Sequence, residues 1–201
     1  TITAGSGLGK SAFVRELMHH LLNVTDDNIG CMFFEESTKR TGIGFLSISA
    51  NKPLHLPDHG VSLDELRVAY DATLNTDRVF FYDSYGSNTL ENIISHVRHM
   101  AKSLDCKWIV LDHLSIIVSS QENGDERKAI DEIVTKLREL IQETKIGLLM
   151  VSHLRRPQGV GHEDGAETSL SQLRGSAAIA QLSDMVIGLE RDGQHENDII
   201  R

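Results

Sequence analysis

A glycine-rich segment near the start of the chain constrains its fold more than any other feature. It follows a short apolar run, precedes a helical pattern and reads Ala4-Gly5-Ser6-Gly7-Leu8-Gly9-Lys10-Ser11. Gly-Lys-Ser at a strand-to-helix junction is typical of the P-loop pattern, although alanine replaces the first glycine of its strict form. A chance glycine-rich turn is the alternative, and the position at this junction argues against it.

This segment predicts a cradle for phosphate. Glycines let the backbone turn so that successive N–H groups point inward, and the following helix adds the positive end of its dipole. With a nucleoside triphosphate, the Lys10 ammonium would bridge the β- and γ-phosphates and the Ser11 hydroxyl would ligate Mg²⁺. The predicted nucleotide-binding residues are Gly5, Ser6, Gly7, Leu8, Gly9, Lys10 and Ser11.

Short apolar runs alternate with helical patterns along the rest of the chain. Strands separated by helices indicate parallel βαβ units, and nearly continuous apolar runs are typical of strands covered on both faces. The sequence therefore predicts an α/β fold with a mostly parallel central sheet and helices on both faces. Strands are expected at 1–3, 29–34, 78–82, 108–111, 148–151 and 185–189, and helices at 11–22, 88–104 and 125–143. Asn88 with Glu91 would cap the helix at 88–104.

The stretch from Thr38 to Asp77 has the weakest pattern. It contains three glycines and two prolines, and its only helical hint spans 61–74. We expect irregular surface structure there. Residues 1–201 are expected to form one domain. Its fold would be cut at both ends, because residues 1–3 and 199–200 resemble pieces of strands.

Composition and charge exclude several classes of protein. Hydrophobic residues make up 40% and charged residues 24%, as in soluble globular proteins. No apolar run approaches the ~20 residues of a membrane span, and no secretory signal opens the chain, so no membrane partner is expected. The net charge of −9 argues against a basic surface that coats nucleic acid. DNA binding would have to come from local cations repeated around a ring.

The two cysteines, Cys31 and Cys106, lack the spacing of metal ligands. Each lies beside a predicted strand. This pattern predicts two reduced thiols in the core of a cytosolic protein.

Carboxylates follow two of the predicted strands. Asp112 ends the run 108–111, at the sheet edge where α/β folds bind ligands, and would hold the Mg²⁺ shell through water. Glu35 and Glu36 follow the run 31–34, and one of them should orient and deprotonate the attacking water. We choose Glu35, because it comes directly off the strand. The alternatives are an aspartate that caps a strand and two ordinary surface glutamates.

A histidine, His153, follows the predicted strand 148–151. A polar side chain there could contact the γ-phosphate and report its loss to the following loop. The alternative is a histidine with a purely structural role.

Six motifs occur in a fixed order. They are the P-loop, Phe-Glu-Glu-Ser at 34–37, Ile-Val-Leu-Asp-His-Leu-Ser at 109–115, Asp-Glu-Arg-Lys at 125–128, Val-Ser-His-Leu at 151–154, and Leu-Arg-Gly-Ser with Gln-Leu-Ser-Asp within 173–184. Together they resemble the helicase half of the phage replicative helicase–primases, which are related to the mitochondrial helicase Twinkle and more distantly to bacterial DnaB. The likeness covers nearly the whole chain apart from 38–77.

The resemblance implies a RecA-like motor domain that hydrolyses the β–γ phosphoanhydride bond of ATP, dTTP or another NTP with Mg²⁺. It implies translocation on single-stranded DNA and duplex unwinding by a homo-oligomeric ring, a hexamer in this family. A primase and a polymerase would be replisome partners. The implied location is the cytoplasm of a bacterial or phage-infected cell, ahead of the mitochondrial matrix.

The same resemblance implies a role for each site residue. Lys10 and Ser11 match the nucleotide and Mg²⁺ residues, and Asp112 matches the Mg²⁺-holding acid. Glu35 matches the catalytic base and His153 the γ-phosphate sensor.

The loop at 154–162, which follows the sensor, would project into the central channel and contact DNA. Arg155 and Arg156 are the predicted DNA-phosphate contacts. The loop at 119–128 is a weaker candidate, because its acidic residues dilute its charge. Arg174 and Gln181 lie in the last motif and receive no role.

The arginine finger of the family is expected beyond Arg201, because Arg191 and Arg201 do not match it. The zinc-binding, primase and linker-helix regions of the family also find no counterpart in the sequence. A finger is worth about 10³–10⁵ in rate. This chain on its own is therefore expected to hydrolyse NTP poorly.

Three other functions fit part of the pattern. A RecA/RadA-type recombinase shares the fold and the phosphate loop, and is the nearest alternative. A module that binds triphosphate only to hold a ring together would lack a catalytic carboxylate, so Glu35 argues against it. A small-molecule kinase would carry an arginine-rich lid, which the sequence does not show.

Overall fold

The structure is a computed structural model and describes residues 1–83, 89–114, 126–154, 168–173 and 177–190. Its strands are β1 Ile2–Ala4, β2 Asn28–Phe33, β3 Val79–Phe81, β4 Cys106–Asp112, β5 Gly147–His153 and β6 Ile187–Leu189. Its α-helices are α1 Lys10–Val24, α2 Thr38–Ala50, α3 Leu63–Ala72, α4 Leu90–Lys102, α5 Glu126–Thr144 and α6 Ala177–Leu182. Short 3₁₀ turns lie at Leu74–Thr76 and Leu170–Gln172.

The strands form one sheet in the order β3-β2-β4-β5-β1-β6, and every pairing between neighbours is parallel. Each of the predicted strands overlaps an observed one. In a parallel sheet the carboxyl ends of all strands lie at one edge. This edge therefore collects the segments that follow β1, β2, β4 and β5.

Two apolar cores cover the two faces of the sheet, which confirms the predicted α/β fold. One core lies under α4 and α5, and the other lies under α1 and α2. Side chains of β4 alternate between them: Ile109 and Leu111 join the first core and Val110 joins the second. Because both faces are covered, the strand is apolar at successive positions, as the sequence pattern indicated.

The prediction of irregular structure at 38–77 is wrong. Two helices, α2 and α3, occupy most of this stretch, and α3 corresponds to the helical hint at 61–74. Glycines in a helix interior normally weaken it, yet Gly44 lies against the side chain of α1 residue Arg15. A Cβ at Gly44 would lie 2.7 Å from Arg15 Cδ. Tertiary packing thus requires a residue that local propensity disfavours.

Serine and threonine side chains cap the helices of this region. Ser37 caps α2 by accepting a bond from the Arg40 N–H, and Ser62 forms a capping box with Glu65 at the start of α3. The predicted cap of α4 is wrong, because Thr89 accepts from the Asn92 N–H. Asn88 itself lies outside the described residues.

Three further expectations concern the core, the membrane and the end of the chain. Cys31 and Cys106 are both buried and free, as predicted. Among the described helices, none is both long and apolar enough to cross a membrane. The expected strand at 199–200 lies outside the described residues.

A glycine in β5 allows a close side-chain contact with β4. Gly147 pairs in register with Trp108, whose indole N–H donates to Asp27 at 2.9 Å. A Cβ at Gly147 would fall inside van der Waals distance of three indole ring carbons.

We therefore expect Gly147→Ala to destabilise the domain by about 1–3 kcal/mol, the usual cost of overpacking. Gly42→Ala is the matched control, since its Cβ would meet Leu74 only at an ordinary 3.4 Å. That change should be neutral or stabilising, because alanine favours helix. Thermal unfolding compares the two variants, and equal melting temperatures would contradict the prediction.

Candidate active site

The phosphate loop connects β1 directly to α1. Gly7 and Gly9 have φ of 74° and 81°, in the left-handed region that favours glycine. Gly9 occupies the N-cap position of α1, and no side chain caps this helix. The helix N-terminus therefore presents backbone N–H groups and the positive dipole end to the loop. This is the arrangement that the sequence pattern predicts.

Lys10, the first residue of α1, is buried. Its ammonium donates to the carbonyl oxygens of Ala4 at 3.1 Å and Gly5 at 2.8 Å. Burial lowers the pKa of Lys10, while the nearby charges of Asp112 and Glu35 raise it. The loop is thus folded around a cation that faces two carboxylates.

Ser11 and Asp112, the two predicted Mg²⁺ residues, are in direct contact. The Ser11 hydroxyl donates to Asp112 Oδ2 at 2.5 Å. Asp112 ends β4 and is 4% exposed. Burial raises the pKa of Asp112, and the hydrogen bond from Ser11 is the main factor that lowers it. The hydroxyl and carboxylate oxygens form a donor set of the kind that Mg²⁺ prefers.

The two adjacent glutamates have different environments. The Glu36 side chain is only 10% exposed and accepts bonds from Arg15 on α1 and from Thr41 on α2, the latter at 2.8 Å. The Glu35 side chain is 57% exposed. Glu36 therefore anchors the segment between β2 and α2, whereas Glu35 is available to solvent beside the site.

His113 is a neighbour of Glu35 that the sequence reasoning assigned no role. It follows Asp112, is 5% exposed, and its Nε2 lies 2.7 Å from Glu35 Oε1. Its ring also contacts that of His153 at the end of β5, with centroids 4.1 Å apart in a T-shaped arrangement. A polar residue directly after a buried strand end was the available signal.

Glu35, His113 and His153 also form a cluster of potential metal ligands. One ligand atom from each lies within 4.8 Å of the others. This mixed oxygen and nitrogen set suits transition metals better than Mg²⁺. The direct hydrogen bond between Glu35 and His113 already explains why two of its members are close together.

A cavity of about 880 Å³ opens beside Ser11, Glu35 and Asp112 and runs between α1 and α2 as far as His55. Its volume falls in the range of ligand sites, about 300–1,000 Å³. The residues that the sequence assigned to nucleotide, metal and water activation thus meet at one cleft.

Several predicted residues do not contribute to this picture of the site. Arg155, Arg156 and Arg174 are not among the described residues, and neither is most of the loop at 119–128. Gln181 lies exposed in α6.

Comparison with known proteins identifies the family of the chain. The model of the DnaB-like helicase C terminal domain matches residues 1–199, and the chain belongs to this family. A DNA helicase/primase of Enterobacteria phage T3 is 35% identical over 198 residues, which are 96% of this chain and 35% of the phage protein. The chain therefore spans well under half of that relative.

Two solved structures share the fold. The first, an ATPase domain, has a TM-score of 0.81 at 20% identity and covers 99% of this chain, which covers 71% of it. The second, a DnaB-like replicative helicase solved to examine its interactions with primase, has a TM-score of 0.80 at 19% identity. It covers 100% of this chain, which covers 48% of it. The RecA-like fold and the family resemblance expected from the motifs are confirmed.

The anchoring of Glu36 yields a stability prediction. Arg15→Gln removes the largely buried partner of Glu36 and should cost on the order of 2 kcal/mol, as for a hydrogen bond to a charged group. Arg40→Gln is the control, because Arg40 faces the same carboxylate at 3.6 Å but is 80% exposed. It should change stability by less than about 0.5 kcal/mol. Thermal unfolding would contradict the anchoring role if both variants melted alike.

Proposed function

We propose that the chain is the motor domain of a replicative DNA helicase that hydrolyses ATP, dTTP or another NTP with Mg²⁺. One observation carries the proposal: Lys10, the Ser11–Asp112 pair and Glu35 converge at a single sheet edge beside a cleft. Family membership supports a helicase over the recombinase alternative.

In this proposal, Lys10 and the loop N–H groups bind the β- and γ-phosphates. Ser11 and Asp112 would hold Mg²⁺, since their oxygen atoms fit its preference and already lie together. When bound, the metal would neutralise charge on the phosphate oxygens.

Glu35 would orient a water molecule and accept its proton as the water oxygen attacks the γ-phosphorus in line. The bond that forms joins this oxygen to phosphorus, and the bond that breaks joins phosphorus to the β–γ bridging oxygen. The exposure of Glu35 beside the cleft supports this choice, since Glu36 is already committed to Arg15 and Thr41.

His153 would contact the γ-phosphate from the end of β5. Loss of that phosphate would change the position of the loop at 154–162, where Arg155 and Arg156 would carry the DNA backbone with them. Backbone contacts hold no base information, so translocation would be independent of sequence.

The whole protein would work as a homo-oligomeric ring, a hexamer, with a neighbouring subunit supplying the arginine finger. Single-stranded DNA would be its track, and a primase and a polymerase its replisome partners. A structure of a DnaB-like replicative helicase solved with reference to primase supports the primase expectation. The cytoplasm of a bacterial or phage-infected cell is the proposed location.

Two substitutions in the full-length protein test the reaction. Lys10→Ala should abolish hydrolysis, because it removes the cation on the transferred phosphate. Glu35→Gln should lower kcat by about 10²–10⁴-fold, as expected when a general base is removed, while nucleotide still binds. Lys107→Ala, at the opposite end of β4, is the control and should hydrolyse normally. Retained turnover in Lys10→Ala would refute the site.

A salt titration tests the DNA-binding residues. The double change Arg155→Ala and Arg156→Ala should weaken single-strand binding and flatten its log–log salt dependence by about 0.7 for each phosphate that is no longer neutralised. Arg98→Ala with Lys102→Ala removes the same charge from α4 and serves as the control. An unchanged slope in the first variant would reject Arg155 and Arg156 as phosphate ligands.

A further inference from the structure

We infer that His113 is a positioning residue that holds the Glu35 carboxylate in place and ties it to His153. The inference rests on the proposed function, because it takes Glu35 as the base and His153 as the sensor. It concerns a contact between β4 and the segment after β2 that joins residues 78 positions apart in the chain.

The hydrogen bond from His113 has a defined direction. Nδ1 of His113 is buried and has no hydrogen-bond partner among the described residues. A lone pair tolerates that position better than an unpartnered N–H. We therefore assign the neutral ring with its proton on Nε2, which donates to Glu35 Oε1 across 2.7 Å.

Glu35 needs such a partner, because the rest of its side chain is loosely held. Its side chain is 57% exposed and turns about three bonds. The neighbouring Glu36 is anchored by Arg15 and Thr41, which fixes the backbone on one side. The bond from the buried His113 ring fixes the carboxylate itself. A base must lie within hydrogen-bond reach of its water, so this restriction favours hydrolysis.

His113 also lies between the base and the sensor. Its ring packs edge to face with the ring of His153 at 4.1 Å between centroids, while its Nε2 reaches Glu35. A displacement of His153 at this distance requires the His113 ring to move. The position of the base is thereby coupled to the position of the sensor through one side chain.

Kinetics of the full-length ring test this role. His113→Ala should lower kcat about 100-fold, the scale of a misplaced catalytic group, with KM and nucleotide Kd essentially unchanged. His113→Gln should recover most of the loss, because its amide nitrogen reaches about as far as Nε2. His113→Asn is polar but too short and should resemble His113→Ala.

A double-mutant cycle separates positioning from a general structural effect. In a Glu35→Gln background, His113→Ala should produce no further loss of kcat, because the base it would position is gone. An equal fold-loss in both backgrounds overturns the inference. Should His113→Ala fail to assemble by light scattering, the Gln and Asn variants carry the same comparison, and equal kcat for these two overturns it.

The outcomes for the two proposals are distinguishable. If Glu35→Gln is slow and His113→Ala retains the wild-type kcat, the proposed function stands and the positioning role fails. If Glu35→Gln itself turns over normally, the proposed base fails, and the inference about His113 fails with it.

Discussion

The buried ammonium of Lys10 is the feature on which the rest of the site depends. A cation can lie in the interior only where oxygen atoms replace the water it has lost. The carbonyls of Ala4 and Gly5 provide those atoms, and the charges of Asp112 and Glu35 act in the same direction. These groups come from the ends of three different strands. The parallel sheet must hold those ends in register for the cation to be stable.

The two apolar cores keep the strand ends in register. Because α1 and α2 cover one face and α4 and α5 cover the other, the central strand β4 packs on both sides and delivers Asp112 to a fixed point. Packing of this kind resists deformation. The polar side chains at the edge can therefore make short, directional contacts without a rigid loop to support each of them.

Local patterns predicted the phosphate loop, the strands and the residues at their ends. Each of those signals lies within a few consecutive residues, as in the apolar run before Asp112. The helix α2 was missed because Gly44 is explained only by the Arg15 side chain against it, and those two residues are far apart in sequence. The anchoring of Glu36 and the contact of His113 with Glu35 were hidden for the same reason.

The packing of Arg15 against Gly44 has a consequence for how this family can vary. One face of the Arg15 guanidinium contacts the aromatic ring of Phe33, its tip holds Glu36, and its stem leaves no room for a Cβ at position 44. A longer side chain at position 44 is compatible with the fold only when position 15 becomes smaller. Since that loss would also release Glu36, positions 15, 36 and 44 should covary as a trio across homologous sequences.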